Sequence, residues 1–172
     1  MKRPDVMIES LARMRALGWP ARLRMAGNGS KLEAMKVQIA QLGLEAHVDL
    51  LGQLDERSVA KEMDQAHALL HASTYETYSV VTAEALCCGT PVIATDVGAL
   101  PELIGTGMGR LVPSNDPGEW TRVWAEAWHE LLHVDRQAVS RRMSERADIK
   151  SVGARYAAIL NAEIGVQRKT PA

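Results

Sequence analysis

The sequence has few of the features that mark specialised classes of protein. Cysteine occurs only at the neighbouring positions Cys87 and Cys88. A disulfide between adjacent residues is strained and rare, so both thiols are expected to stay reduced and to be small buried residues near a helix end. No apolar run approaches the ~20 residues of a membrane helix, and the first residues show no signal-peptide pattern. These absences argue against a disulfide-rich or membrane-spanning protein and predict a cytoplasmic location.

A strong charge of either sign is also missing. The formal net charge of the 172 residues is −1 and the isoelectric point is near 6.5. We therefore expect no general attraction to nucleic acid or anionic lipid, and any bound anion must be held by a local arrangement. Hydrophobic residues make up 47% and charged residues 24%, which is typical of one globular domain with a real core.

Short apolar runs alternate with amphipathic segments along the chain. The runs predict strands at 21–27, 47–52, 68–73, 91–95 and 110–113. Helices are predicted between and around them, near 6–17, 30–42, 56–65, 79–89, 100–104 and 116–133, with one or two more at the end. This rhythm predicts the α/β class: a Rossmann-like parallel sheet with helices on both faces. Residues 1–166 form one predicted domain, followed by a polar tail at 167–172.

Several residues are expected at the ends of these elements. Ser30, Asp55 and Asp116 precede helices and are predicted to cap them. In parallel sheets, ligands bind at the loops that follow the carboxyl ends of the strands. Those loops are predicted at 27–30, 52–55, 73–79, 95–99 and 113–116.

The stretch 73–104 carries the densest chemistry. Glu76 lies where a strand leads into a helix, and Glu84 follows eight residues later, about 80° around the helix axis. Both carboxylates could flank one ligand. The amides of Tyr78, Ser79 and Val80 are unpaired donors at the helix start, which suits a diphosphate. A carboxylate can also accept hydrogen bonds from two adjacent ribose hydroxyls.

These residues resemble a known family. The Glu76 and Glu84 pair, together with "EALCCGTPVIATDVGALPELI", resembles the nucleotide-sugar-binding half of retaining GT-B glycosyltransferases, the glycosyl transferases group 1 family. The segments "KRPDVMIESLARM", "RMAGNGS", "LLGQLDERSVAKEMDQAHALLHAS" and "GRLVPSNDPGEW" are similar to further family motifs in the same order. The resemblance covers roughly residues 2–160.

The resemblance implies a role for each matching position. Glu76 would be the catalytic residue that orients the donor sugar and its phosphate, and Glu84 would bind the ribose hydroxyls. Nucleotide-sugar contacts are further implied for Lys2, for Gln53 and Leu54 against the base, and for the backbone of Tyr78, Ser79 and Val80 at the β-phosphate. The implied reaction transfers a hexose from a UDP- or GDP-linked sugar to an acceptor hydroxyl with retention of configuration, using no metal or other cofactor.

The chain departs from the family pattern in two ways. Thr77, Tyr78 and Ser79 stand where many relatives have G-F-G, which predicts a stiffer loop or a phosphate set farther back. The phosphate arginine and the acceptor domain of the family lie upstream of the matched region. The isolated chain is therefore expected to be inactive without an N-terminal acceptor domain, through which it would associate peripherally with the inner face of the membrane. The alternative is a non-catalytic nucleotide-sugar-binding module that partners another chain.

One other motif suggests a different class. "HELLH" at 129–133 matches the H-E-x-x-H pattern of zinc hydrolases. A zinc site also needs a third ligand, and no downstream residue lies in a recognisable ligand context. We expect His129 and His133 to complement the carboxyl end of their helix instead. The stripe of Trp120, Trp124 and Trp128 is expected to pack in the core, and lone histidines such as His71 are expected to be structural or surface residues.

Overall fold

The computed structural model describes residues 2–148, 150, 152–154 and 156–159. The predicted polar tail therefore lies outside the described residues. The elements, in chain order, are α1 Pro4–Ala16, β1 Leu23–Ala26, α2 Leu32–Gln41, β2 Val48–Gly52, α3 Glu56–Gln65, β3 Leu69–His71, α4 Val80–Cys87, β4 Val92–Thr95, α5 Leu100–Leu103, β5 Gly109–Val112, α6 Pro117–Leu132 and α7 Arg136–Ala147. Described positions between 150 and 159 are also helical.

All strand pairs among these elements are parallel, as predicted. The strands form two groups, β1 beside β2 and β3 beside β4 and β5 in that order. The α/β class and the number of strands are confirmed. The strands β1 to β4 are one to three residues shorter than their apolar runs, because flanking residues leave the ladder and enter the loops, whereas β5 has the predicted length and begins one residue earlier.

The strand β4 separates two layers of the core. Val92 and Ala94 pack with Leu86 of α4 in a cluster that also includes residues of α3, α5 and α7. Ile93 points the other way and packs in a cluster that contains Trp120 of α6 and residues of α1. Successive side chains of a strand alternate between faces, so a strand buried on both sides must be apolar throughout. The run PVIAT meets this requirement.

The tryptophan stripe of α6 packs in the core, as expected. Trp120 is fully buried, Trp124 is 5% exposed, and Trp128 packs at the edge of the same cluster. These side chains pack with Leu11 and Met14 of α1, which are both fully buried. Burying a large apolar side chain contributes roughly 1.5–3 kcal/mol, so the α1–α6 layer is a main source of stability.

The helix caps agree with the sequence at two positions and differ at a third. The carboxylates of Asp55 and Asp116 accept hydrogen bonds from the amides of residues three positions later, at 2.7 and 3.0 Å. The predicted cap at Ser30 is wrong, because α2 begins after Lys31 and has no side-chain cap. Cys87 is exposed rather than buried, since it ends α4 on the outward side, and both cysteines are free.

The guanidinium group of Arg136 joins α7 to the end of α3 and to the loop that precedes β4. It donates hydrogen bonds to the carbonyls of Asp64 and Ala66 and to Oγ1 of Thr90, at 2.7–2.9 Å. The two carbonyls lie at the end of α3, where they lack partners within the helix. A cation at this end of α3 also opposes the negative end of the helix dipole.

Among the helices in the described part of the chain, none combines the length and the apolar character that crossing a membrane requires.

Gly109 offers a test of the close approach of β4 and β5. A Cβ atom at Gly109 would lie 1.8 Å from the carbonyl oxygen of Val92, and its φ is +150°. We expect Gly109→Ala to destabilise the fold by about 2 kcal/mol, which lowers the thermal midpoint by about 4–8 °C. Gly105→Ala is the matched control, because its Cβ would only contact Sδ of Met108 at 3.4 Å. Equal midpoints for the two variants in thermal denaturation would contradict this account.

Candidate functional site

The first residues of the chain lie against the carboxyl end of β3. The amide of Arg3 donates to the carbonyl of Ala72 at 3.0 Å, and Lys2 forms an antiparallel bridge with Ser73. These backbone contacts place the Lys2 side chain beside the loop that runs from β3 to α4. Lys2 is therefore held at the predicted ligand-binding edge of the sheet.

Three side chains meet at this edge. Nζ of Lys2 donates to Oε1 of Glu76 at 2.6 Å, and Nε2 of His71 lies 2.9 Å from the same oxygen. Nε2 of His71 is also 2.9 Å from Nζ of Lys2. A neutral imidazole can donate from this nitrogen to Glu76 or accept there from Lys2, depending on its tautomer, but cannot do both. The Glu76 side chain is only 12% exposed, which strengthens these interactions.

The cluster holds Glu76 ionised and His71 neutral. Burial opposes ionisation of Glu76, but hydrogen bonds from Lys2 and His71 and the Lys2 charge outweigh it, so the pKa of Glu76 is lowered. The pKa of His71 is lowered from its ordinary value of 6.5, first by burial and then by the Lys2 charge. The hydrogen bond with Glu76 opposes this shift without reversing it. A carboxylate and a lysine ammonium thus face the loop together.

Ser79 has an unusual backbone conformation at the start of α4. Its φ is +65°, and it is the one non-glycine residue with positive φ in the part of the chain that the structure describes. Its hydroxyl lies 2.9 Å from Oγ1 of Thr82 and 3.3 Å from Nε2 of His71. Ser79 stands at the second glycine of the G-F-G pattern of many relatives. The serine therefore adopts a glycine-like conformation at a cost in strain.

The loops that follow β4 and β5 contact the loop that carries Glu76. The amide of Ser73 donates to Oγ1 of Thr95, and the Asn115 side chain donates to the carbonyl of Ser73 at 2.9 Å. Thr95 is the last residue of β4, and Asn115 lies in the loop after β5. Their hydrogen bonds to Ser73, which follows β3, therefore join the carboxyl ends of all three strands. A Cβ atom at Gly98 would lie 1.8 Å from the carbonyl oxygen of Glu76. Glycine at position 98 allows these two loops to touch.

The other predicted site residues lie along the same edge without joining the cluster. Tyr78 and Val80 are exposed, and the amide of Val80 is in the first turn of α4. Glu84 is exposed in the middle of α4. Gln53 and Leu54 follow β2 just before the α3 cap. No hydrogen bond or ion pair joins Glu84, Gln53 or Leu54 to Glu76 within the described residues, and the nucleotide-binding roles of all these residues stay predictions.

His71 is the residue that sequence reasoning missed. It is 5% exposed and contacts Lys2, Glu76 and Ser79, so it is a buried member of the cluster and not a surface histidine. The signal in the sequence was a histidine inside the apolar run ALLHAS. A polar residue in a buried strand needs partners, and the partners come from positions 69 residues upstream and 5 to 8 residues downstream.

The HELLH segment has other contacts. His133 Nδ1 donates to the carbonyl of His129 at 2.7 Å, and the ring of His129 packs edge-on against Trp19. Glu130 pairs with Arg110. Within the described ranges, no group of three or more His, Cys, Asp or Glu side chains is placed to hold a metal ion. The third ligand that a zinc hydrolase needs is not found there.

The structure is thus an α/β domain in which Lys2, His71 and Glu76 meet at the carboxyl ends of parallel strands, the edge where such folds bind ligands. The family model for glycosyl transferases group 1 matches residues 1–148, and the chain belongs to this family.

Two curated relatives illustrate the match. The D-inositol 3-phosphate glycosyltransferases of Jonesia denitrificans and Mycolicibacterium smegmatis are 31% identical over 136 residues and 29% identical over 149 residues. These matches cover 72% and 86% of this chain but only 31% and 33% of the relatives. The chain therefore spans about a third of the length of these curated relatives.

Solved structures confirm the fold. Anabaena Alr3699/HepE in complex with UDP and glucose superposes with a TM-score of 0.77 at 22% identity, over 93% of this chain and 45% of that chain. The lipopolysaccharide outer core galactosyltransferase WaaB in its apo form gives 0.79 at 20% identity, over 94% and 45%. The predicted likeness to one half of a GT-B fold is confirmed.

The shifted pKa values predict a two-step loss of stability in acid. Because the folded pKa of His71 lies below 6.5, the unfolded chain takes up a proton that the folded chain does not, and stability falls as pH drops below about 6.5. Glu76 adds a second loss below about pH 4.5, where its carboxylate is protonated more readily in the unfolded chain. We expect His71→Gln to remove the first step in urea unfolding followed from pH 7.5 to 4. His67→Gln, at an exposed position, should retain it. A first step that persists in His71→Gln would refute the assignment.

Strain at Ser79 can be separated from the role of its hydroxyl by two substitutions. Ser79→Ala removes the hydroxyl contacts and keeps a side chain at positive φ, whereas Ser79→Gly removes both the contacts and the strain. We expect Ser79→Gly to be more stable than Ser79→Ala by about 1 kcal/mol, or about 2–4 °C in thermal midpoint. Equal stability of the two variants would show that the backbone is unstrained there.

Proposed function

We propose that this chain is the donor-binding domain of a retaining, metal-independent glycosyltransferase that transfers a hexose from a nucleoside-diphosphate sugar to an acceptor hydroxyl. The observation that carries the proposal is the contact of Lys2 with Glu76 at the start of α4. It places a cation, a carboxylate and the first amides of a helix at one edge of the sheet. A diphosphate and a sugar need these groups side by side.

A uridine nucleotide is the donor that the comparisons favour. The solved Anabaena relative was crystallised with UDP, with UDP-glucose, and with UDP and glucose. In this chain the base would lie against Gln53 and Leu54, and the ribose hydroxyls would donate to Glu84. The exposure of Glu84 on α4 leaves its carboxylate accessible to a nucleotide. GDP- and ADP-linked sugars are the competing donors, and GDP and ADP serve as the probes for them.

The proposed mechanism uses charge rather than a metal ion. The Lys2 ammonium and the amides of Ser79 and Val80 would stabilise the diphosphate as its bond to the anomeric carbon breaks. The acceptor oxygen attacks from the same face, its bond to the anomeric carbon forms, and its proton passes to the departing diphosphate. Glu76, ionised beside Lys2, would accept hydrogen bonds from sugar hydroxyls and orient the ring. The anomeric configuration is then retained.

Transfer would also require an acceptor-binding half. This chain spans about a third of its curated relatives, and we propose that polypeptide outside these 172 residues supplies the acceptor site. Association of that half with the inner face of the membrane stays a prediction. The cytoplasmic location also stays a prediction.

Nucleotide binding tests the proposal directly. UDP, GDP, ADP and UDP-glucose would be titrated into the 15N-labelled chain, with amide shifts at residues 76–84 as the readout. We expect one nucleotide to shift these amides in a saturable way. Glu84→Ala should weaken binding about tenfold or more, because two charge-assisted hydrogen bonds are lost. Glu45→Ala, at an exposed position in a distant loop, is the matched control and should bind as the parent does.

Two outcomes would count against the proposal. If Glu84→Ala bound with wild-type affinity, Glu84 would not contact the ribose. Amide shifts confined to residues outside 76–84 would show that the nucleotide binds elsewhere. The non-catalytic module is distinguished by turnover. If the open reading frame continues upstream into an acceptor domain, the longer protein should release UDP from UDP-glucose, whereas a module would bind it unchanged.

A further inference from the structure

One nitrogen of the His71 imidazole has three polar neighbours. Nε2 lies 2.9 Å from Oε1 of Glu76, 2.9 Å from Nζ of Lys2 and 3.3 Å from Oγ of Ser79. The residue is 5% exposed, so these neighbours rather than bulk water must satisfy the ring. A ring nitrogen forms one in-plane hydrogen bond, either as a donor or as an acceptor, so the three neighbours compete for it.

The ammonium group of Lys2 lies over the face of the ring. Its Nζ is 2.9 Å from Nε2 and 3.4 Å from Nδ1 of His71. An atom on the in-plane axis of the Nε2 hydrogen bond would be much farther from Nδ1 than from Nε2, because Cε1 separates the two nitrogens. The similar distances therefore place Nζ above the ring. The in-plane position is left to Glu76, the closest charged acceptor, and Nε2–H donates to its carboxylate.

Lys2 and His71 thus share one carboxylate oxygen. Nζ of Lys2 donates to Oε1 of Glu76 at 2.6 Å, and Nε2 of His71 faces the same atom. Burial and the Lys2 charge both lower the pKa of His71. Ala94, which is paired with His71 in β4, and Ser79 at the start of α4 are uncharged. Among the described residues, the charges that act on His71 are therefore those of Lys2 and Glu76.

We propose that His71 is a positioning residue for donor binding: when a diphosphate draws Lys2 away, His71 gains a proton and holds Glu76 in its place. This inference rests on the proposed function. The proposed diphosphate site at the start of α4 is next to the ring, since Oγ of Ser79 lies 3.3 Å from Nε2. Binding there brings negative charge towards His71 and removes the ammonium above it, and both changes favour the imidazolium form. Solvent supplies the proton, which enters at Nδ1, while Nε2–H remains on Glu76.

Donor binding and proton uptake are then coupled. Because the pKa of His71 is higher in the complex than in the free chain, affinity rises as pH falls through the pKa of the complex and levels off below that of the free chain. Each unit of difference corresponds to about tenfold in affinity. UDP-glucose is the suitable probe, since its diphosphate is esterified at both ends. The terminal phosphate of UDP would itself titrate at about pH 6.

Calorimetry measures the coupling. UDP-glucose is titrated into the chain between pH 8 and pH 6, in pairs of buffers that differ in ionisation enthalpy, so that proton uptake is obtained with the affinity. We expect the parent to bind roughly fivefold more tightly at pH 6 than at pH 8, with net proton uptake. His71→Gln keeps an N–H donor for Glu76 but cannot gain a proton, so its affinity should match the parent at pH 8 and stay constant. His67→Gln, at an exposed position, should retain the coupling.

A second measurement needs no nucleotide. The pKa of His71 is read from the pH dependence of its imidazole proton shifts in the parent and in Lys2→Met. Methionine keeps much of the aliphatic chain and removes the ammonium above the ring, so the pKa of His71 should rise in the variant.

The outcomes separate this inference from the proposed function. If UDP-glucose shifts no amide at residues 76–84, the proposed function fails and the role of His71 fails with it. If these amides shift but the affinity of the parent does not change with pH, only the role of His71 is refuted. The same holds if His71→Gln retains the coupling, or if Lys2→Met leaves the pKa of His71 unchanged.

Discussion

The burial of β4 between two layers of helices is the constraint on which the rest of the structure depends. Val92 and Ala94 face α4 and its neighbours, while Ile93 faces α1 and α6. The backbone of β4 can then satisfy its hydrogen bonds only through β3 and β5 on its two sides. This fixes the ends of all three strands at one edge. The loops that carry Glu76, Gly98 and Asn115 are side by side because their strands are.

Local charge, rather than overall charge, shapes the candidate site. The chain has a formal net charge of −1, yet a lysine and a largely buried carboxylate lie 2.6 Å apart at the start of α4. The neutral His71 beneath them supplies a hydrogen-bonding group without adding a second cation. Lys2 is the most exposed member of this set, with more than half of its side chain open to solvent. An anion arriving at the edge can compete with Glu76 for it.

Periodicity predicted the elements well, because each depends mainly on local patterns of burial. The helix α3 has the predicted bounds, with Asp55 as its cap and an apolar Met63 on its inner face. The predictions failed where a contact between distant segments decides the outcome. His71 gained a partner from Lys2, which lies 69 residues upstream in the sequence.

The sequence also indicated part of the candidate site. The resemblance to a family indicated Lys2 and Glu76 as partners of one ligand, and the structure brings them into direct contact. Cys87 and Ser30 were misjudged for a simpler reason. Both lie at the ends of helices, where a shift of one or two residues decides whether a side chain is buried, exposed or a cap. Spacing along the chain cannot resolve such a shift.

Trp120 gives the molecule an optical property of its own. Its ring is fully buried, and its Nε1 is the one buried side-chain polar atom without a hydrogen-bond partner among the described residues. An indole that neither water nor a neighbour solvates emits at short wavelength, because nothing relaxes around its excited dipole. Trp19 and Trp128 lie near the surface with ring centroids 5.2 Å apart and emit from a wetter setting. The blue edge of the emission therefore reports the layer between α1 and α6 without any added label.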